Sequence, residues 1–330
     1  MRTLPIIAAL AIVAIFTRCT NEPSTTDTTA TDTAAQNVAV PDFNRDSALM
    51  FVSKQVDFGP RRPNSTGHVA CKKWLVAQLK GYGAEVIEQN FDAKAYTGEV
   101  LKSTNIIGQF NPAATRRIIL AAHWDTRHIA DQDADPANKK KPILGADDGG
   151  SGVGVLLEVA RQMQIKQPDL GVDIILFDAE DFGNDGGNDA SSWCLGSQYW
   201  AHNPHKPGYH AMYGILLDMV GGAGAHFGKE AVSVQFASTT LDMVWKVGRG
   251  LGYDTYFTND MLSGITDDHL AVNEVAHIPM IDIINRPDGQ GFPAHWHTQN
   301  DNIKAIDQNT LKAVGQTLLA VIYREAAGVL

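Results

Sequence analysis

The sequence predicts an α/β protein, with a three-layer α/β/α sandwich built around a largely parallel, mixed central sheet. Short apolar segments rich in β-branched residues alternate along the chain with longer segments in which apolar residues recur every three or four positions. Such alternation of strands and helices is typical of this fold class. No segment repeats with a regular period, which argues against a solenoid or a propeller. A chain of 330 residues, 44% of them hydrophobic, is long enough for one large domain.

The predicted elements begin with two helices and continue into a series of strands. The first helix is expected over Asn44–Val56, and the second is capped by Ser65 or Thr66 and ends at Gly81 or Gly83. The predicted strands are Glu85–Phe91, Asn105–Phe110, Ile118–Ala122, Val172–Phe177, Tyr213–Met219, Val232–Phe236 and Ile278–Ile284. The later predicted helices are Val153–Met163, Leu241–Leu251 and Leu311–Tyr323. These segments account for a single sandwich, so no second folded domain is expected.

The first 40 residues predict export from the cytoplasm. Leu4–Phe16 is an apolar run that follows Arg2. It is too short to cross a bilayer, which takes about 20 residues, but it has the length of a signal-peptide core. The Thr-, Ser-, Asp- and Ala-rich tract after it cannot form a hydrophobic core. We therefore expect a signal peptide over residues 1–18, a disordered tether over 19–40 and a single catalytic domain over 41–330.

Cys19 follows this apolar run and precedes the polar tract. This arrangement resembles that of bacterial lipoproteins, which are cleaved before such a cysteine and acylated on its thiol. We therefore expect a periplasmic or outer-membrane-anchored lipoprotein that contacts the membrane only through a lipid anchor at Cys19. Arg18 occupies a position where a small residue is usual, so simple secretion is the alternative.

The charge balance of the chain excludes one class of partner. The formal net charge is -10, and nucleic-acid binding needs clustered Lys and Arg, so we expect no nucleic-acid partner. The basic run Lys139–Lys141 lies in a polar insertion and is interpreted as a solvated loop. The other two cysteines, Cys71 and Cys194, could pair in an oxidising compartment. Their separation in space cannot be derived from the sequence, so a disulfide and two free thiols are both open.

Ionisable residues stand at or directly after the ends of four predicted strands. They are His123 and Asp125, the segment from Asp178 to Asp181, Asp218 and Asp282. In α/β sheets the functional groups gather beyond the carboxyl ends of the strands. Carboxylates buried together there would repel one another unless a cation neutralised them. With the motifs Asp147–Gly152 and Trp296–Thr298 they favour Zn²⁺ in an open catalytic site, held by carboxylates and histidine.

Two neighbouring acids, Glu180 and Asp181, are expected to have different roles. In an extended backbone adjacent side chains point to opposite sides. One of the two can therefore bind a metal while the other faces the reacting group, where a carboxylate that is not a ligand can shuttle protons. The alternative is a pair of solvated loop acids, which the apolar strand before them disfavours.

Several motifs in a fixed order resemble the co-catalytic zinc aminopeptidases. They are His123–Asp125, Gly145–Gly152, Phe177–Asp181, Leu217–Gly221 and a late His-Thr pair at 297 and 298. Within that clan the chain resembles the glutaminyl-peptide cyclotransferases, or glutaminyl cyclases. The segments that carry this closer resemblance are Gly59–Asn64, Ile265–His269 and Phe292–Asn302. The resemblance extends over the expected folded domain and implies the zinc aminopeptidase-like fold.

The resemblance implies one zinc ion per chain, bound by Asp148, Asp181 and His297. Animal cyclases have Glu at the position of Asp181, and its shorter side chain here still reaches a metal. They have a pocket histidine where this chain has Asp282, so the resemblance does not imply that contact here. His123 matches a ligand in two-zinc peptidases and a residue that is not a ligand in cyclases, and its role is open.

The resemblance also implies the catalytic groups. Glu180 matches the general acid/base, and Asp218 and Asp267 match supporting catalytic acids. The residues implied to bind substrate are Trp193, Phe292 and Trp296. The implied activity converts the N-terminal glutamine of peptides or proteins to pyroglutamate and releases ammonia. The alternatives are a two-zinc aminopeptidase and a non-catalytic surface-binding lipoprotein, since a fold does not determine a function.

Overall fold

The structure is a computed structural model that describes residues 37–187, 189–287 and 291–330. Its α-helices are α1 (Arg45–Asp57), α2 (Thr66–Gly81), α3 (Gly150–Ile165), α4 (Leu195–His202), α5 (Ala231–Gly250), α6 (Asp268–Glu274) and α7 (Gln308–Ala326). Its strands are β1 (Glu85–Lys94), β2 (Val100–Phe110), β3 (Arg117–His123), β4 (Gly171–Phe177), β5 (Gly214–Asp218), β6 (Phe227–Glu230), β7 (Phe257–Leu262) and β8 (Met280–Ile284). The predicted signal peptide, Cys19 and most of the predicted tether lie outside the described residues.

Six strands form the central sheet in the order β1-β2-β4-β3-β5-β8. The last four in this order, β4, β3, β5 and β8, are parallel to one another. β2 is antiparallel to β4, and β1 is antiparallel to β2. The prediction of a largely parallel, mixed sheet is confirmed. As a result, the carboxyl ends of four strands meet at one edge of the sheet.

Alternating side chains of the sheet enter two separate cores, one on each face. On one face residues such as Leu120 and Ile174 pack with α1, α2, α3, α5 and α7. On the other face Ile119 and Ile175 pack with α4 and α6. All seven residues of β3 and all seven of β4 are buried, as expected for parallel strands that are covered on both faces. These two layers of helices complete the predicted sandwich.

The prediction of a strand at Val232–Phe236 is wrong, because this segment is the beginning of α5. Val232, Val234 and Phe236 alternate with polar residues and therefore imitate the two-residue period of a strand. The carboxylate of Glu230 accepts hydrogen bonds from the backbone N–H groups of Val232 and Ser233, both at 2.7 Å, and so caps the helix. A cap with a short apolar run after it is compatible with either element, and here tertiary contacts select the helix.

Cys71 and Cys194 are free and buried, so the disulfide that the sequence left open is not formed. Cys71 lies on the buried face of α2 and packs in the core, whereas Cys194 lies at the start of α4. No helix within the described residues is long and apolar enough to cross a membrane.

Candidate active site

The edge of the sheet where the four parallel strands end brings the predicted site residues together. β3 ends at His123, β5 ends at Asp218, and a turn from Asp178 to Asp181 follows β4. In that turn Ala179 has the left-handed φ of 55°. The carboxylate of Asp125 accepts the backbone N–H of Glu180 at 3.0 Å and that of Asp181 at 3.2 Å. These two hydrogen bonds fix the direction in which the acidic pair leaves the sheet.

Asp148, Asp181 and His297 form a compact group in which one ligand atom from each residue lies within 4.8 Å of the others. His297 Nε2 is 3.0 Å from Asp181 Oδ1 and 3.6 Å from Asp148 Oδ2. Ligand atoms around a tetrahedral Zn²⁺ stand about 3.3–3.6 Å apart when each is about 2.0–2.2 Å from the ion. Asp148 Oδ2 and both carboxylate oxygens of Asp181 are buried without a hydrogen-bond donor. The residues present therefore fit a zinc ion.

The protonation equilibria of this group reflect its crowded negative charge. Burial, together with the charge of Asp148, raises the pKa of Asp181 to about 6. Burial disfavours the charged imidazole of His297, but the carboxylates of Asp181, Asp131 and Asp148 together outweigh this effect and raise the pKa of His297 to about 9. Both shifts show that the cluster favours bound positive charge, which a divalent cation supplies directly.

Two residues that sequence reasoning missed support the triad from outside. Asp131 Oδ1 is 3.3 Å from Nδ1 of His297, on the side of the ring opposite the other two triad residues. Arg127 pairs with Asp131 at 2.6 Å and donates to the backbone carbonyl of Asp181 at 3.2 Å. A carboxylate on the far nitrogen of a ligating histidine fixes its tautomer and orientation. No motif or predicted element in the sequence marked this pair.

The loop that carries Asp148 is anchored by a second set of polar contacts. Asp301 accepts the backbone N–H of Asp147 at 2.8 Å and that of Asp148 at 3.1 Å. His295 Nε2 is 2.7 Å from the carboxylate of Asp147. The two late histidines, His295 and His297, therefore have different partners, and His295 contacts the loop rather than the triad.

His123 belongs to a second group that shares Asp148 with the first. Its Nε2 is 3.1 Å from Asp148 Oδ1 and 3.3 Å from Asp218 Oδ1. One ligand atom from each of His123, Asp148 and Asp218 also lies within 4.8 Å of the other two. The imidazole is buried, which disfavours its charge, but the neighbouring carboxylates of Asp125, Asp148 and Asp218, which favour its protonated form, raise its pKa well above the usual value. The geometry therefore contains the donor set of a second metal position as well as that of the first.

Glu180 faces the same cavity as the triad but does not belong to it. Burial, with the nearby charges of Asp181 and Asp267, raises the pKa of Glu180 well above its usual value, although His123 acts in the opposite direction. The pKa of Asp218 is raised to about 7, mainly by burial and to a smaller extent by the charge of Asp267. A carboxyl group whose pKa approaches working pH is suited to take up and return a proton.

Asp267 lies between Glu180 and Asp282, with a carboxylate oxygen within 4.8 Å of one from each of these two residues. Asp267 caps α6, where its carboxylate accepts the backbone N–H of Asp268 at 2.5 Å. Asp282 is not at the end of its strand, as the sequence suggested, but in the middle of β8, where it is 1% exposed. Burial and the charge of Asp267 raise the pKa of Asp282 well above its usual value. Asp282 is thus a buried neighbour of Asp267 and does not line the cavity.

Aromatic rings form the walls of a cavity of about 380 Å³ above the triad. Trp296 stacks on His297 with ring centroids 3.8 Å apart, and Phe292 packs on Trp296 at 4.4 Å. On the other side the ring of Trp193 stands 6.1 Å from that of His297, held by the guanidinium of Arg127 at 4.6 Å. All three residues predicted to contact substrate therefore line one cavity with the triad and Glu180.

The sequence pattern of peptidase family M28 matches residues 105–322. The match covers well over half of the chain, so the protein belongs to this family. The zinc aminopeptidase-like sandwich and the family resemblance inferred from the motifs are thereby confirmed.

Comparison with individual proteins shows which members of the family the chain is similar to. The chain is 52% identical to a glutaminyl cyclase of Bacteroides thetaiotaomicron, whose structure has a TM-score of 0.85, with 86% of this chain and 99% of that chain covered. A Zn-dependent exopeptidase of Parabacteroides distasonis is 53% identical, with a TM-score of 0.84 and the same coverage. The bovine glutaminyl-peptide cyclotransferase is 25% identical over 288 residues, which are 78% of this chain and 76% of the bovine protein.

Proposed function

We propose that the protein is a zinc-dependent glutaminyl-peptide cyclotransferase, which converts the N-terminal glutamine of peptides or proteins to pyroglutamate. One observation carries the proposal. Glu180 and the metal-binding triad share the floor of an aromatic-walled cavity, in a chain that is half identical to a glutaminyl cyclase over nearly the whole length of that enzyme. The cavity is of a size that suits one small side chain and the amine beside it.

The chemistry needs a nucleophile, a proton carrier and an electrophile. The nucleophile is the α-amine of the substrate itself, which attacks the γ-amide carbon, so no serine or cysteine nucleophile is required. Glu180 takes a proton from the attacking amine and returns it to the departing nitrogen, which leaves as ammonia. Asp148, Asp181 and His297 would hold a zinc ion, which would supply Lewis acidity to the amide carbonyl. We infer one such ion per chain.

The aromatic walls determine which product forms. Trp193, Phe292 and Trp296 cover the triad and Glu180 and limit access of water to the carbonyl. Water that reached this carbon would hydrolyse the amide to glutamate instead of allowing ring closure. Asp267 supports Glu180 because its charge raises the pKa of the Glu180 carboxyl group and so favours the form that holds a proton. Asp218, whose own pKa is raised to about 7, lines the same cavity as a second acid that can hold a proton.

A two-zinc aminopeptidase is the second candidate, and the group formed by His123, Asp148 and Asp218 favours it. Metal analysis separates the two functions. The cyclase predicts one tightly bound zinc per chain, which is lost when Asp148, Asp181 or His297 becomes Ala and kept in His123→Ala. Two tightly bound ions, one of them lost in His123→Ala, would support the aminopeptidase.

A pair of substrates tests the proposed reaction directly. Purified protein is incubated with Gln-Ala and, in parallel, with N-acetyl-Gln-Ala, and released ammonia is measured. We expect ammonia from the free dipeptide alone, because acetylation removes the nucleophilic amine while leaving the side-chain amide unchanged. Equal release from both peptides would indicate a simple amidase and contradict the proposal.

We also propose that the protein is exported and attached to a membrane through a lipid on Cys19, since this cysteine follows a short apolar run. Wild-type protein is then expected in the membrane fraction and Cys19→Ala in the soluble or unprocessed fraction. A mature N-terminus downstream of Cys19 would exclude the lipid anchor and leave secretion intact.

A further inference from the structure

Cys194 lies at the start of α4, and its thiol reaches the carboxylate of Glu180. The Sγ–Oε1 distance is 3.3 Å, and Cys194 is 2% exposed. Within residues 37–187, 189–287 and 291–330, this thiol is the one hydrogen-bond donor to the Glu180 carboxylate. The Nδ1 atom of His123 is 3.9 Å from the other carboxylate oxygen, Oε2, which is beyond hydrogen-bond distance. One oxygen of Glu180 is therefore held by Cys194, while the other is left to face the cavity.

The backbone around Cys194 also forms hydrogen bonds with the segment that carries Glu180. The N–H of Cys194 donates to the carbonyl of Glu180 at 2.9 Å, and that of Leu195 donates to the carbonyl of Ala179 at 3.1 Å. Ala179 and Cys194 both have the left-handed φ of 55°, which is unfavourable for a residue other than glycine. Such a conformation persists only where its surroundings hold it, and it is concentrated at functional sites. Glycine would adopt it without strain at position 194, but glycine has no thiol.

A buried acid beside this contact, Asp267, has one carboxylate oxygen without a donor. A carboxylate oxygen of Asp267 lies within 4.8 Å of both Cys194 Sγ and a carboxylate oxygen of Glu180. Asp267 is 5% exposed, and its Oδ2 has no hydrogen-bond partner among the described residues. Two carboxylates this close repel each other unless a proton donor stands between them. Burial and the charge of Glu180 raise the pKa of Cys194 well above its usual value, so the thiol stays protonated and able to donate.

From these contacts we propose that Cys194 is a positioning residue for the general acid/base. The hydrogen bond from its S–H group holds Glu180 Oε1 in place, so that Oε2 faces the amine of the substrate. The proposal deepens the proposed function and rests on it. Substrate does not touch the thiol, and the thiol forms no covalent bond during the reaction.

Steady-state kinetics with a glutaminyl dipeptide test this role through three variants. Cys194→Ala removes the donor and should lower kcat roughly tenfold, which corresponds to the contribution of one hydrogen bond to a charged group. KM should stay within about twofold of the wild-type value. Cys194→Ser keeps a donor and should recover most of kcat. Cys71→Ala is the control, because it removes a buried thiol that has no contact with Glu180, and its kcat should match wild type. Zinc content is measured for all variants.

The outcomes distinguish the two proposals. If wild type does not cyclise the dipeptide, the proposed function fails. If wild type is active and Cys194→Ala keeps its kcat, or if Cys194→Ser falls as far as Cys194→Ala, the positioning role is wrong while the function stands.

Infrared spectroscopy provides a test that does not depend on folding of a Cys194 variant. The S–H stretching band shifts with hydrogen bonding, and Cys71 serves as an internal reference in the same molecule. We expect Glu180→Ala to move the Cys194 band and leave the Cys71 band in place. A Cys194 band that does not respond to this substitution would overturn the proposal.

Discussion

Glu180 and Asp181 are adjacent in the chain, yet their surroundings differ in the way that the two proposed roles require. Asp181 lies against His297 and Asp148. Both of its carboxylate oxygens are buried without a hydrogen-bond donor, as expected for a group that binds a cation. Glu180 contacts Cys194 and faces the cavity. The sequence predicted the division, because adjacent residues of an extended segment point apart. It could not predict Cys194, Arg127 or Asp131 as partners, since these contacts depend on loops that only the folded chain brings together.

The different roles of the pair predict variants that differ in kind. Glu180→Gln should keep its zinc and its affinity for peptide while turnover falls by about 10²–10⁴-fold, the usual contribution of a positioned acid/base. Asp181→Asn should instead weaken zinc binding, because a neutral amide is a poor ligand. Turnover measured against added zinc checks this, and excess zinc should partly rescue Asp181→Asn only. Rescue of Glu180→Gln by zinc, or near-normal turnover of that variant, would show that the assignment is wrong.

At the scale of elements, the site depends on how closely α3 approaches the sheet. Asp148 directly precedes this helix, and Gly152 in its first turn lies against β5 and β3. A Cβ atom at Gly152 would stand 2.6 Å from the carbonyl oxygen of Leu217 and 2.9 Å from the Cβ of Ala122. Only glycine lets the helix start this near the strands. The glycine-rich motif was visible in the sequence, but the packing that requires each glycine was not.

Gly152→Ala is therefore expected to lower the free energy of unfolding by about 1–3 kcal/mol, the usual cost of overpacking. The matched control is Gly250→Ala at the end of α5, where a Cβ meets no atom within 4 Å. That variant should be neutral or more stable by up to about 1 kcal/mol, since alanine restricts the unfolded chain. Chemical denaturation of both variants measures the difference. Equal stability of the two would mean that α3 can move away from the sheet at little cost.

At the scale of the whole molecule, His205 makes stability depend on pH far from the candidate site. It is the indole N–H of Trp200 that donates to His205 Nδ1, at 3.1 Å, and this contact requires the nitrogen to be unprotonated. Burial and the charges of Lys206 and Arg117 lower the pKa of His205 to about 4, although Asp173 acts in the opposite direction. Between this value and the unfolded value of about 6.5, the unfolded chain binds a proton that the folded chain does not.

The stabilising effect of neutral His205 should therefore be present in full above about pH 6.5 and be lost as the pH falls towards 4. His205→Gln should lose less stability than wild type over this interval. His202→Gln, on the exposed side of the last turn of α4, is the control and should follow wild type. Denaturation curves recorded at several pH values give these differences. Parallel curves for wild type and His205→Gln would contradict the argument.

The sequence predicted the layers of the fold and the edge at which the site forms, because hydrophobic period and strand-end charges are local signals. The predictions from the sequence were wrong for two features that depend on contacts between distant parts of the chain. The segment at Val232–Phe236 is a helix, since Glu230 caps it, and Asp282 lies inside β8. The triad was implied by the resemblance that the motifs carry, and the structure brings one ligand atom from each of its three residues within 4.8 Å of the others; its role as the zinc site stays a prediction.

The identity of the products formed from a dipeptide such as Gln-Phe, measured by mass spectrometry, tests the central claim most directly. A cyclotransferase joins the α-amine to the side-chain carbonyl and leaves the peptide bond intact. The expected products are therefore pyroglutamyl-Phe and ammonia, with no free amino acid. Release of free glutamine and free phenylalanine would show that water attacks the peptide bond, as in an aminopeptidase, and would contradict the proposed function.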